Sequence, residues 1–367
     1  MRKLASIQTV SEIHPIDGKD RIVLAIVQGW QVIVRKDEYQ VGDKTVFIEP
    51  DAVLPEREEF EFLRSKKFRI KTMKMGGVLS QGICFPLSIL PERNAPYELD
   101  EDVTEVLGIK KYEPYEDEPV QTEAKPKKKL NPVVRFMLRV PGLRWIAKKI
   151  WKNKPNRKAW PQFLQKTDET RIQNMPFILN RKDLTFEVHE KVDGQSGTFF
   201  LRKEKKKFPW SKQKYDFGVC SRNLRLFNPD NSSYWSVARK YNIRDVLLEM
   251  IGDYEWVAIQ GECIAPNVQG NKYHVTEPDL YCFNLIYPEG KVDGLIAEQR
   301  VRAHGLKWVP LVKAGYVLPD TVEEMLAYAT DKSQLYDTLR EGVVLRNYEY
   351  NISFKAVSPD FLIKWDQ

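Results

Sequence analysis

The chain has 367 residues, of which 42% are hydrophobic, 30% charged and 11% aromatic, and a formal net charge of +7. That is the composition of a soluble globular protein with room for two or three domains, and no apolar run approaches the ~18–20 residues of a membrane span. The N-terminus lacks the continuous apolar core of a secretory signal, and Cys84, Cys220, Cys263 and Cys282 show no disulfide or metal-ligand spacing, so a reducing, intracellular setting is expected.

Residues 1–112 read as β-rich. RIVLAIVQGWQVIV and DKTVFIEPDAVL are Val/Ile-rich and punctuated by Gly, Asp and Pro. FRIKTMKMGGVLSQGICF adds a strand pair around Gly76 and Gly77, and DEDVTEVLGIKKY a short closing helix. Several short strands in about a hundred residues fit a small β-barrel of the OB type.

The positive charge is local. Residues 113–160 hold 13 Lys and Arg against 5 Asp and Glu, a surplus of 8; the counts are 17 against 18 in residues 1–112 and 28 against 28 in residues 161–367. EPYEDEPVQTEAKPKKK reads as a linker. VVRFMLRVPGLRWIAKKIWKNK then interleaves apolar and basic residues, and Pro141 divides it into two basic amphipathic helices. Arg135, Arg139, Lys148 and Lys149 are the candidates there for gripping nucleic acid. The competing reading is a helix packed on a neighbour with its cations in solvent.

From residue 161 the pattern changes to alternating strands and helices. TFEVHEKV, TFFLRK, YDFGVCS, WVAIQGECI, LYCFNLIY and GVVLRN read as strands. SSYWSVARKYNIRDVLLEMI, with Ser232 or Ser233 as cap, and TVEEMLAYATDKSQLYDTLRE read as helices. The expected fold is an α+β domain around antiparallel sheets, giving three segments: 1–112, 113–160 and 161–367.

The tetrapeptide KVDG occurs twice, at Lys191 and Lys291. Alone it is a weak signal, because Asp-Gly is a common turn. Downstream of Lys191, however, come SRN (Ser221–Asn223), QGE ending at Glu262, YCFNLIY around Phe283, EGVVLR from Glu341 and SFK ending at Lys355, in that order. Lys291 follows the turn signature YPEG and has no such set after it. The ordered set resembles the nucleotidyltransferase motifs of ATP-dependent polynucleotide ligases and mRNA capping enzymes.

That resemblance implies a chemistry. Lys191 attacks the α-phosphate of ATP, forming a lysyl–AMP phosphoramidate and releasing pyrophosphate, with Lys355 and Mg²⁺ or Mn²⁺ depressing its pKa. Glu341 holds the metal and Lys355 the α-phosphate. Asp193 and Gly194 form the turn that presents Lys191. Phe283 stacks on adenine, Arg222 and Glu262 grip ribose or phosphate, and Glu190 accepts from the adenine amino group. The chain departs from the family at Ser353, where such ligases often carry a further lysine; Lys364 is either its substitute or, as the favoured reading, a solvated strand-end lysine.

The layout narrows the family. The chain runs about a dozen residues past Lys355, which leaves no room there for the OB domain that DNA ligases carry. The β-rich unit comes first, with GDKTVFIEPDAVLP in it and QKTDETRIQN ahead of the lysine strand. This looks like the RNA ligases with an N-terminal OB domain, which seal nicks whose 3′-OH strand is RNA. KTDE (Lys166–Glu169) is then a nucleotide or nucleic-acid contact, or Thr167 a helix cap. The implied partner is a nicked RNA or RNA–DNA duplex, met by a monomer in the cytoplasm, nucleoid or nucleus, with no membrane. Two other readings stay open: a capping-type guanylyltransferase, and a non-catalytic nucleic-acid-binding protein built on a decayed core.

Overall fold

Alternating apolar residues carry the first part of the chain into strands β1 (Ala5–Ile16), β2 (Lys19–Val27), β3 (Trp30–Arg35), β4 (Lys44–Ile48), β5 (Ala52–Val53), β6 (Thr72–Met75), β7 (Val78–Gln81) and β8 (Ile83–Phe85). The computed structural model describes residues 3–112, 157–206, 208–227 and 232–365. The expected basic helices, with Arg135, Arg139, Lys148 and Lys149, lie outside the described residues. Strand β1 is absent from the sequence reading. Its Ala5–Thr9 half pairs with β4 and its Val10–Ile16 half with β2. A register shift between Val10 and Glu12 lets one strand serve both and curls the order β3-β2-β1-β4-β8 into a half-barrel. This is the expected OB-fold domain. Its cores are Ile7, Val46, Ile48, Phe60 and Val103 on one side and Val10, Ala25, Trp30 and Phe47 on the other. The expected closing helix is a single turn. Leu107 N–H donates to the Val103 carbonyl, Gly108 at φ +69° ends the turn, and the chain pairs with β5 as β9 (Lys110–Lys111).

The second part holds β10 (Arg157–Ala159), β11 (Thr170–Arg171), β12 (Phe186–Lys191), β13 (Gln195–Lys203), β14 (Tyr215–Cys220), β15 (Leu224–Leu226), α1 (Ser233–Lys240), α2 (Ile243–Met250), β16 (Trp256–Ile264) and β17 (Asp279–Tyr287). After these come β18 (Gly290–Lys291), α3 (Gly294–Ala303), β19 (Lys307–Trp308), β20 (Leu311–Tyr316), α4 (Val322–Ala329), β21 (Gly342–Asn347), β22 (Ile352–Val357) and α5 (Pro359–Trp365). One sheet runs β10-β15-β14-β13-β16-β17-β18, with β19 beside β17; the other runs β11-β22-β21-β12-β20. Pairing is antiparallel except at β17–β19 and β11–β22. Helices α1 and α2 bury Val237, Ile243 and Leu247 against Phe199, Leu201 and Val257 of the first sheet. Helix α4 buries Met325, Leu326 and Ala329 against Phe186, Val188, Leu345 and Phe354 of the second. Because side chains alternate along a strand, Glu187, His189, Lys191, Arg346, Ser353 and Lys355 face the other way, toward the first sheet. Arg346 reaches across and donates to the Phe283 carbonyl of β17 at 2.5 Å.

Two helix expectations need correction. Residues 232–250 form two helices, because Asn242 adopts φ +46° between them. Helix α4 opens on a Thr321–Glu324 capping box but stops at Ala329. Beyond it the chain is drawn off as a loop, in which Ser333 and Gln334 bond to Glu190.

The segment QKTDETRIQN, residues 165–174, joins the two parts. The Arg171 guanidinium meets Asp51 at 2.8 Å and lies 5.7 Å from the Trp30 ring centroid. Trp30 Nε1 donates to Asn174 at 2.6 Å, and Asn174 donates to Glu49 at 2.6 Å. Gly29 N–H donates to the Gln173 carbonyl at 2.9 Å. A Cβ on Gly29 would lie 2.9 Å from Gln173 Cα, so the close approach requires glycine.

Candidate active site

Lys191 ends β12, opposite Gly342 in the β21 register. Its Nζ donates to Glu341 Oε2 at 2.5 Å, with the two side chains 25% and 15% exposed. Burial alone would lower the lysine pKa, but Glu341, Glu262 and Asp193 together raise it above the ordinary value. The expected depression rests on Lys355 together with a bound Mg²⁺ or Mn²⁺. Lys355 bonds Asp168 Oδ1 at 3.0 Å. The nucleophile candidate therefore rests as an ammonium among carboxylates.

Those carboxylates repel one another. Burial pushes Glu262 up to about 8, helped by Glu341 and Asp193 and opposed by Lys191. Burial and Glu341 push Asp193 up to about 6, against Lys272 at 2.7 Å. The Asp193 turn is clamped further: its N–H donates to the Tyr273 hydroxyl at 2.8 Å, and Gln269 donates to the Gly194 carbonyl at 3.2 Å. A Cβ on Gly194 would lie 2.5 Å from the Cys263 carbonyl oxygen, so this turn admits only glycine without rearrangement. The stretch after Glu262, not the strand itself, thus fixes the turn.

Asp168 and Arg222 bring two distant motifs together. Asp168 Oδ2 accepts from Arg222 at 2.9 Å while Oδ1 holds Lys355. Burial would raise the Asp168 pKa, yet Lys355 and Arg222 hold it well below the usual carboxylate range. Lys166 donates to Asn223 at 2.9 Å, and Glu169 pairs with Arg346 at 3.6 Å. KTDE is thus stitched to the cleft cations. Thr167 caps no helix, because no helix starts there.

Glu190 has two partners inside the protein. Its buried carboxylate accepts from Ser333 Oγ at 2.5 Å and Gln334 N–H at 2.7 Å, and burial raises its pKa despite those bonds. It fastens the loop after α4, where Tyr336 stacks on Tyr273 at 4.7 Å. Phe283 is half-buried on β17, with the Arg346 guanidinium 5.8 Å from its centroid. Ser353 Oγ is buried without a hydrogen-bond partner among the described residues. Its cross-strand partner is Arg346, so a cation stands beside the position where the family's first lysine is missing. Lys364 lies exposed on α5 against Trp365. Lys291 is exposed in the β17–β18 hairpin, and its companion Asp293 caps α3. Lys272, Tyr273 and Arg346 escaped the sequence reading; only the register, which a linear motif does not carry, singles out Arg346.

Among the described residues no three His, Cys, Asp or Glu groups form a closed metal cage. Mg²⁺ needs no such cage, since it is held by one or two carboxylates together with substrate phosphates and water. Glu341, part-buried beside Lys191, is a carboxylate of that kind.

Comparison with known proteins bears on this geometry. The profile of the RNA ligase family matches residues 184–365, and that of an OB-fold domain matches residues 4–87. An RNA ligase of Naegleria gruberi solved with pyrophosphate is 29% identical, with a TM-score of 0.77, over 99% of this chain and 98% of that one. A variant of the same ligase solved with ATP and Mn is 27% identical, TM-score 0.78, over 100% of both chains. Another variant with AMP and Mn is 29% identical, TM-score 0.77, over 98% of each. No curated protein matches by sequence.

Proposed function

The chain belongs to the RNA ligase family and is an ATP-dependent ligase, and from that premise we propose that it seals RNA nicks through a covalent AMP on Lys191. The supporting observation is the meeting of Lys191 with Glu341 at 2.5 Å in the cleft that also holds Lys355 and Arg222. In the first step the neutral Lys191 amine forms an N–P bond to the α-phosphate of ATP. The bond to the β-phosphate oxygen breaks, and pyrophosphate leaves with the electron pair. The AMP then passes to a 5′-phosphate end, and a 3′-OH displaces it to give the phosphodiester. The structures of the related ligase with ATP, AMP and pyrophosphate fit this sequence of ligands.

The residues divide the work. A divalent metal, when bound, supplies charge neutralisation at the phosphates. Glu341 would hold it, and the same carboxylate stabilises the Lys191 ammonium in the free enzyme. Lys355 and Arg222 leave Asp168 for phosphate and ribose, which makes Asp168 a stand-in anion in the free enzyme. Phe283 stacks on adenine, Glu262 meets the ribose, and Asp193 with Lys272 holds the turn. Glu190 positions the loop after α4 at the nucleotide.

For the nucleic acid, the 3′-OH strand is RNA, recognised by its 2′-OH, and the duplex is held mainly through backbone and sugar. Residues 1–112 form the OB domain, 161–367 the nucleotidyltransferase domain, and 113–160 an added basic grip through Arg135, Arg139, Lys148 and Lys149. The enzyme acts as a monomer inside the cell in RNA repair. Among the described residues no helix is long and apolar enough to cross a membrane.

Label transfer from ATP carrying a labelled α-phosphate tests the reading. Wild type and Lys291→Ala take up label, and Lys191→Ala does not. Label on Lys191→Ala overturns the assignment, and no uptake by any form overturns the covalent mechanism.

A further inference from the structure

Strands β13 and β14 are joined by the loop EKKKFPWSKQK, residues 204–214. From Lys203 to Lys214 the sequence carries six lysines and one glutamate. Phe208 is 56% exposed and Trp210 83%, the highest value among the exposed large hydrophobic side chains of the described residues. Their rings stack on each other, centroids 5.3 Å apart and planes within 9°. Nothing structural requires them there. The hairpin is closed by Glu204 N–H donating to the Lys214 carbonyl at 2.8 Å. Gln213 Nε2 donates to the Glu204 and Lys214 carbonyls at 2.8 Å, and Ser211 Oγ donates to the Phe208 carbonyl at 2.7 Å. Lys205, Lys206, Lys212 and Lys214 are exposed, and none of them forms an ion pair among the described residues.

A pair of planar rings held in water and ringed by uncompensated cations matches one chemistry, a polyanion that carries flat bases. Stacking on aromatics and backbone charge contacts are how single strands are held without sequence preference. A protein partner fitting the rings would need a matching acidic rim, whereas nucleic acid supplies rings and negative charge together. Strand β13 starts four residues after Lys191 and runs for 9 residues. At ~3.3 Å per residue the loop stands about 27 Å from its start near the lysine, several nucleotides away from the joint. Bases inside a duplex offer no free face at that distance.

We propose that the Phe208–Trp210 hairpin is a docking finger for the RNA substrate. It stacks an unpaired base several nucleotides away from the joint, while its lysines contact the flanking phosphates. The identity of the ligand as RNA rests on the ligase reading above.

The test uses the full chain, a short nicked RNA duplex, and the same duplex extended by a single-stranded tail that reaches the hairpin. The Phe208→Ala/Trp210→Ala variant should bind the tailed RNA about 10- to 100-fold more weakly than wild type, the range given by one to two lost stacks. Its affinity for the untailed duplex and its label uptake from ATP should be unchanged, and Trp210→Phe should restore most of the tailed affinity. Equal affinity of wild type and double variant for the tailed RNA overturns the finger. So does a variant that loses binding only to phosphatidylserine vesicles, which would assign the hairpin to a membrane surface. A wild type that takes up label but shows no preference for the tail removes the finger and leaves the ligase reading standing. A wild type that takes up no label removes the ligase reading, and the binding comparison still decides the finger.

Discussion

Replacing Asp168 by Asn removes the anion that occupies the cleft cations and keeps an oxygen for Lys355 to bond. Asp168 sits 3.0 Å from Lys355 and 2.9 Å from Arg222, with side-chain exposures of 35%, 12% and 41% for the three. At 3 Å and an effective dielectric near 20, each attraction is about 5 kcal/mol before desolvation. Partly exposed pairs retain about 1 kcal/mol of that, so the two together hold the cations by roughly 2 kcal/mol. A phosphate entering the cleft must displace the carboxylate, and Asp168→Asn relieves it of most of that competition. The KM for ATP in self-adenylylation should fall about 5- to 30-fold, the equivalent of 1–2 kcal/mol. Pyrophosphate should inhibit correspondingly better. The assay is initial label uptake against ATP concentration at fixed Mg²⁺, with a melting curve to show that the variant is folded. A folded Asp168→Asn with unchanged or raised KM refutes the stand-in role and makes Asp168 part of the nucleotide grip itself.

Other consequences are as specific. Gly342, at φ +154°, would place a Cβ 2.2 Å from the Ala356 carbonyl oxygen; Gly342→Ala should cost about 3 kcal/mol or more in urea unfolding and abolish label uptake, and a variant of wild-type stability would show that the β21–β22 pairing is looser than described. His189 is buried with Nδ1 unpartnered, and burial, with Arg346 beside it, lowers its pKa to about 4. The unfolded chain therefore binds the extra proton between pH 6.5 and 4, and stability falls as pH falls through that window. Relative to His189→Asn, wild type should lose about 2 kcal/mol between pH 7.5 and pH 5; an unchanged gap between the two proteins would contradict the buried neutral imidazole. Arg171→Ala removes a guanidinium that is 5% exposed and pairs with Asp51, leaving Arg69 on that carboxylate. It should destabilise by about 2–3 kcal/mol and split the calorimetric transition into two, whereas a single unshifted transition would show that the contact does not couple the domains.

Much of this molecule was legible because its strands write their faces into the sequence. TFEVHEKV alternates so that Phe186 and Val188 enter the core and Lys191 does not, and the same alternation sets Lys355 against buried Phe354 and Ala356. Order along the chain separated Lys191 from Lys291. What stayed hidden depends on register and on distant partners. Arg346 is unremarked as the last residue of EGVVLR until β21 lays it across from Ser353. Glu190 bonds Ser333 and Gln334, more than a hundred residues on, and nothing in its own strand announces either partner. Residues 330–340 continue a helical pattern, but Glu190 draws them away from it. Strand β1 was missed because its two halves follow different partners, which blurs a single period.

The ten residues 165–174 have a consequence for how this protein can be recombined. Their first half binds cleft cations through Asp168 and Glu169, and their second half binds the barrel through Arg171, Gln173 and Asn174. An OB domain taken from a relative and grafted at residue 112 would meet a foreign Gln173 and Asn174. It would also reset the anchor from which Asp168 hangs. The exchangeable module is the barrel together with the stretch through Asn174, two pieces separated in sequence that travel as one. Chimeras that respect this unit should keep both folds in register; those cut just before residue 165 should inherit a barrel and an active site that no longer share a hinge.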